Sequence, residues 1–149
     1  MGVHHVCAIL NDGNVKCWGY NNKGQLGYGD TNSRGLNSNE MGDNLTAVNL
    51  GTGKTAVQVA AGGDLTCVIL NDGNVKCWGD GVFALGYGDE VQRNVPGPNV
   101  DLGTGKTAVQ IGTNGRFTCV LLNDEHQVLG TEFCWGREDL WQWANKNGR

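Results

Sequence analysis

Self-similarity at a fixed spacing constrains this chain more than any other feature. Residues 9–19, Ile-Leu-Asn-Asp-Gly-Asn-Val-Lys-Cys-Trp-Gly, recur unchanged at 69–79. A second block, Leu50 to Gln58, recurs unchanged at 102–110. Equivalent cysteines Cys7, Cys67 and Cys119 lie 60 and then 52 residues apart, whereas the identical Gly51 and Gly103 blocks are 52 apart. The eight extra residues of the first copy therefore fall between Cys17 and Gly51, in the polar stretch Thr31 to Asn44, which reads as a surface-loop insertion. A unit of this length is one supersecondary motif that buries its apolar face only against a neighbour. The expected division of 1–149 is repeat 1 at about 1–49, repeat 2 at about 50–101 and repeat 3 at about 102–149. Met1 aligns with Ala61, so repeat 1 is truncated at its start, and repeat 3 ends in a divergent tail.

Within one unit the local signals favour strands. Ala56–Ala61, Thr66–Leu70 and Val75–Trp78 are short, rich in β-branched or aromatic residues, and bounded by Gly and Asn-Asp-Gly turns. A looser fourth segment, Asn99–Leu102, follows Pro96-Gly97-Pro98 and matches Thr46–Leu50. The expectation is an all-β chain of β-propeller blades, about four antiparallel strands each, forming an incomplete ring of between two and three repeats.

Thr66-Cys67-Val68-Ile69-Leu70-Asn71-Asp72-Gly73-Asn74-Val75-Lys76-Cys77-Trp78-Gly79, followed by Leu85-Gly86-Tyr87-Gly88-Asp89, resembles the regulator of chromosome condensation repeat. Cys7 to Gly19 with Gly24-Gln25-Leu26-Gly27-Tyr28-Gly29-Asp30 is a second copy of that pattern. The likeness runs to Gly136, where the third copy has Arg137-Glu138-Asp139-Leu140-Trp141 in place of Gly-Gln-Leu-Gly. It implies a propeller, typically of seven blades. This chain is expected either to be a segment of such a ring or to associate with copies of itself.

Six cysteines occur in pairs at equivalent positions. In the hairpin Cys7–Cys17, a three-residue loop Asn11-Asp12-Gly13 with glycine in the left-handed region sets Leu10 opposite Asn14. Cys7 then faces Cys17 on a non-hydrogen-bonded pair, where side chains approach closely. The expected disulfides are Cys7–Cys17, Cys67–Cys77 and Cys119–Cys134, with buried free thiols as the alternative. Zinc fits poorly, because ten-residue spacings do not resemble structural knuckles. Paired cysteines argue for an oxidising, extracellular or secreted setting, although Met1 to Val6 carries no signal-peptide pattern.

The remaining motifs are mostly structural. Gly51-Thr52-Gly53-Lys54-Thr55 looks like the end of a phosphate-binding loop, but a strand pattern follows where a helix is required. Asp12, Asp72 and Asp124 sit in turns, as do Asp30 and Asp89. Trp18, Trp78 and Trp135 each follow the second cysteine of a pair and are expected between blades. His4, His5 and His126 form no recognisable catalytic or metal-binding set. Asn44-Leu45-Thr46 fits the N-glycosylation acceptor pattern at the end of the inserted loop. Leu140, Trp141 and Trp143 form a candidate interaction patch outside the repeat.

No catalytic, cofactor or metal site is expected. A net charge of −4 without a basic cluster argues against nucleic acid, and no run of about 18 apolar residues spans a bilayer. The favoured function is a non-enzymatic extracellular binding or assembly module with a protein or glycan partner, or copies of itself. Two alternatives stand beside it. The family resemblance implies guanine-nucleotide exchange on a small GTPase, the activity of its nuclear founding member. The repeat pattern alone also suits a structural subunit of an extracellular assembly.

Overall fold

The computed structural model describes residue 2 and residues 4–81, 84–123 and 131–136. Among these described residues eight strands follow in chain order: β1 His5–Ile9, β2 Val15–Gly19, β3 Ala56–Gly62, β4 Asp64–Leu70, β5 Val75–Asp80, β6 Ala108–Thr113, β7 Phe117–Leu122 and β8 Thr131–Gly136. They form three antiparallel sheets, β1-β2, β3-β4-β5 and β6-β7-β8, one per repeat. Among the described residues the only helical element is a 3-10 turn at Gly42–Asn44.

The hairpin turns explain the register. Leu10 N–H donates to the Asn14 carbonyl at 2.8 Å, Gly13 N–H donates to Leu10 at 2.9 Å, and Gly13 has φ 81°. Only glycine takes that left-handed conformation without strain. Asp12 accepts the Asn14 N–H at 3.0 Å. Leu70, Asp72, Gly73 and Asn74 repeat the arrangement, and the two ladders place Cys7 opposite Cys17 and Cys67 opposite Cys77.

The fourth position of the first two blades is not a regular strand. Along the outer edge of β2, Val15 accepts Val48 N–H at 2.8 Å and Gly19 pairs with Arg34 in an isolated bridge. Between them, the Tyr28 hydroxyl accepts Cys17 N–H at 3.0 Å and donates to the Cys17 carbonyl at 3.0 Å. Val100 and Arg93 pair in the same way along β5, where the Tyr87 hydroxyl accepts Cys77 N–H at 3.0 Å and donates to the Pro98 carbonyl at 2.7 Å, while the Cys77 carbonyl accepts Gly97 N–H at 3.1 Å. One phenol and two short segments thus satisfy the edge that a fourth strand would pair. In the second blade Pro96 and Pro98 have no N–H to offer a ladder. Val48, Leu50, Val100 and Leu102 are nevertheless buried, as their apolar pattern requires.

The core lies between blades rather than within them. One cluster joins Val15, Cys17 and Leu26 of the first repeat to Val68, Leu70 and Trp78 of the second. The other joins Leu65, Cys67, Ile69 and Cys77 to Ala108, Ile111, Val120 and Leu122. Strand β4 therefore contributes one face to each cluster.

A hydrogen-bonded clasp marks each junction. The Gln25 carbonyl accepts the Thr66 hydroxyl at 2.8 Å and the Trp78 indole N–H at 2.9 Å. The Ala84 carbonyl accepts Thr118 and Trp135 in the same way, each at 2.8 Å. A Cβ at Gly27 would stand 2.6 Å from the Trp78 nitrogen, and one at Gly86 would stand 2.7 Å from that of Trp135. These glycines leave room for the indoles. The interblade tryptophan expectation holds fully for Trp78, which is 0% exposed, and for the bonded Trp135; Trp18 is half-buried.

Candidate functional site

Each sulfur pair falls where the register sets it. Cys7–Cys17, Cys67–Cys77 and Cys119–Cys134 are bonded, each with Cα atoms 4.1 Å apart, and no described cysteine is free. The expected pairing therefore matches the structure. Their surroundings differ: Cys17, Cys67 and Cys77 are fully buried, whereas Cys7, Cys119 and Cys134 are partly exposed.

The inserted loop is built, not merely long. Glu40 accepts the N–H groups of Leu36 at 2.9 Å and Asn37 at 3.1 Å and the Asn37 side-chain amide at 2.9 Å. These bonds hold its carboxyl below the usual range. Lys16 pins the loop's far end to the first hairpin by donating to the Gly42 carbonyl at 2.8 Å. On this frame Leu36 is 73% exposed and Met41 39%. Asn44 is exposed and closes the 3-10 turn, while the following Leu45 is 3% exposed.

Beside the loop, a groove of about 580 Å³ is lined by Tyr28, Arg34, Thr46, Asn49, Lys76 and Pro96 among others. Its two cations are already engaged. Arg34 forms two bonds with Asp30, at 2.9 and 2.8 Å, and its guanidinium lies 4.2 Å over the Tyr28 ring. Lys76 donates to the Leu50 carbonyl at 3.0 Å. Arg93, Asp89 and Tyr87 repeat the arginine arrangement with the same 4.2 Å stacking. In both copies the arginine lowers the aspartate pKa from its ordinary value, chiefly through side-chain hydrogen bonds. The expected turn role of Asp30 and Asp89 was incomplete. The missed signal is the recurring spacing Tyr-Gly-Asp-x-x-x-Arg at 28–34 and 87–93.

The glycine-lysine block is a turn between repeats that runs into β3. Lys54 is bonded to the Asp72 carboxylate. Among the described residues there is no group of three or more metal-ligating side chains, and no helix is long and apolar enough to cross a membrane. Leu140, Trp141, Trp143, His126 and Asp124 lie outside the described residues.

His5 takes the packed structural role that the family resemblance implies, at 2% exposed, but its bond across the first junction had no signal in the sequence. The Thr66 hydroxyl already donates to Gln25, so at 2.8 Å it accepts from His5 Nε2–H. Nδ1 is then an unprotonated nitrogen, buried without a partner among the described residues. Burial pulls the imidazole pKa down to about 4, with the nearby Asp64 charge opposing and the chain N-terminus adding.

Disulfide-braced sheets clasped to one another, the first two closed by a tyrosine hydroxyl, define consecutive blades of a β-propeller. The regulator of chromosome condensation (RCC1) repeat model matches residues 1–25 and 56–84. The chain is 33% identical over 129 residues to the E3 ubiquitin-protein ligase MYCBP2 of Danio rerio, covering 83% of this chain and 3% of that protein. Human WBSCR16 superposes with a TM-score of 0.70 at 26% identity, covering 91% of this chain and 31% of the other. Yeast RCC1 (Prp20), solved bound to Kap60, gives 0.65 at 25%, covering 92% and 31%. The chain is a partial propeller of RCC1 repeats, and it spans only a small part of these relatives.

Proposed function

We propose that this chain is a non-enzymatic binding module of an extracellular propeller, presenting the 31–44 loop to a protein partner. The observation that carries this reading is the loop itself: a segment eight residues longer than its counterpart in the second repeat, fixed by Glu40 and Lys16, that holds Leu36 73% exposed. Loops on rigid frames carry function because the frame meets the cost of ordering. Three disulfides support the oxidising setting. The yeast relative's complex with Kap60 supports a protein as the partner class.

A photo-crosslinking side chain at Leu36, in the protein in its source cells, should yield a discrete protein adduct. Replacing the loop by its shorter counterpart from the second repeat should abolish that adduct. Adducts that persist after the replacement would defeat the reading. Similarity to RCC1 favours a second reading, nucleotide exchange. Release of labelled GDP from a small GTPase should be unchanged by this chain, and acceleration would decide for exchange.

A further inference from the structure

We propose that Asn44 is an N-glycan acceptor. Asn44-Leu45-Thr46 is the one such triplet in the sequence, and the second repeat has no counterpart. Extended backbone at Leu45, φ −89° and ψ 111°, turns Asn44 and Thr46 to the same side. Both are exposed, whereas Leu45 is 3% exposed and anchors the triplet. Leu45 N–H donates to the Gly42 carbonyl at 3.3 Å, and Lys16 holds that same carbonyl. Asn44 belongs to neither interblade cluster, so a sugar there displaces no core contact.

The donor is an oligosaccharide linked through diphosphate to a lipid. The Asn44 Nδ2 nitrogen forms a bond to the anomeric carbon, and the bond from that carbon to the diphosphate breaks. Diphosphate leaves with the electron pair, and the amide gives up one proton to base. The glycan then stands at the end of the loop that exposes Leu36 and Met41.

The inference rests on the proposed secretory setting, so the test separates the two. The whole chain, placed behind a cleavable secretory leader in a eukaryotic cell, should emerge heavier by one glycan. An amidase that hydrolyses the glycan-bearing side-chain amide should remove that mass as the glycosylamine and leave aspartate at position 44. Asn44→Gln and Thr46→Ala should abolish the shift, while Thr46→Ser should retain it. A secreted chain of unmodified mass would overturn the inference, as would a shift that survives Asn44→Gln. The compartment reading is tested apart from this, by alkylating source cells and asking whether the six cysteines are oxidised.

Discussion

The second and third blades carry nearly the same central strand and place it in opposite surroundings. From Leu65 to Leu70, β4 is buried at every position, whereas β7 alternates between buried and partly exposed. Thr66-Cys67-Val68 and Thr118-Cys119-Val120 are identical, so the difference belongs to the neighbours. β4 is covered on both faces by other repeats, while Cys119 and Leu121 line an open depression with Gln110 and Gly112. The clasps show what stays constant. Gln25 and Ala84 differ as side chains yet accept the same two bonds, because both use a backbone carbonyl.

The largest effect should come from the covered indole. Trp78→Ala removes a fully buried ring and one bond to Gln25, and should cost about 3–5 kcal/mol. Trp18→Ala, at a half-buried indole, should cost about 1 kcal/mol. Urea unfolding of both variants makes the measurement. Equal losses would mean that neighbour packing is not what separates the first and second repeats.

The disulfides sharpen the same contrast. Each closes a short loop and should contribute about 2–3 kcal/mol. A thiolate reaches an exposed bridge without unfolding the chain. Cys119–Cys134 should therefore open first in a graded reductant, and Cys67–Cys77 last, at the unfolding rate. Quenched alkylation and peptide mapping give the order, and the reverse order would break the comparison.

The parts of the fold set by local chemistry were legible in the sequence. Asn-Asp-Gly fixed the turn, the turn fixed the register, and the register fixed the cysteine pairing. Contacts between repeats were less so. Val57 and Val109 sit in apolar strand patterns but are 63% and 54% exposed, because a bulge after Ala56 and Ala108 turns them outward. A fourth strand was expected at Asn99–Leu102, yet tyrosine hydroxyls and isolated bridges hold that edge. No periodicity announces a side-chain oxygen standing in for backbone. The acceptors of the clasp were equally hidden, since every residue has a carbonyl.

His5 should make the first junction acid-sensitive. Its folded pKa of about 4 lies below the ordinary 6.5, so the unfolded chain binds the proton more readily. The stability tied to neutral His5 is complete above pH 6.5 and is lost as pH falls towards 4. The loss is at most about 3 kcal/mol. Denaturant midpoints across that window should fall for the native chain and flatten for His5→Gln, which keeps a donor towards Thr66. An unchanged slope in the variant would place the acid sensitivity elsewhere.

The smallest effect should follow from Lys54→Ala. Its ammonium is bonded to Asp72, but both side chains are about a third exposed, at 36% and 32%. Solvated pairs of this kind contribute about 0.2–1 kcal/mol, and less in salt. The Lys54 bond pulls the Asp72 pKa down to about 2 from 3.8. The pair's contribution is therefore present above pH 3.8 and disappears as pH falls through 2, in a lower window than that of His5 and with the same sign. Lys54→Ala should lower stability slightly at pH 7 and not at pH 2. The same variant tests the glycine-lysine block, because a phosphate site would lose affinity with its lysine. Titration with ATP and GTP should show no saturable binding in either form. The block runs into β3, so no helix N-terminus is there to present amides to an anion. Saturable binding that disappeared with Lys54 would place a ligand at the turn between repeats, and the blades would then differ in chemistry as well as in neighbours.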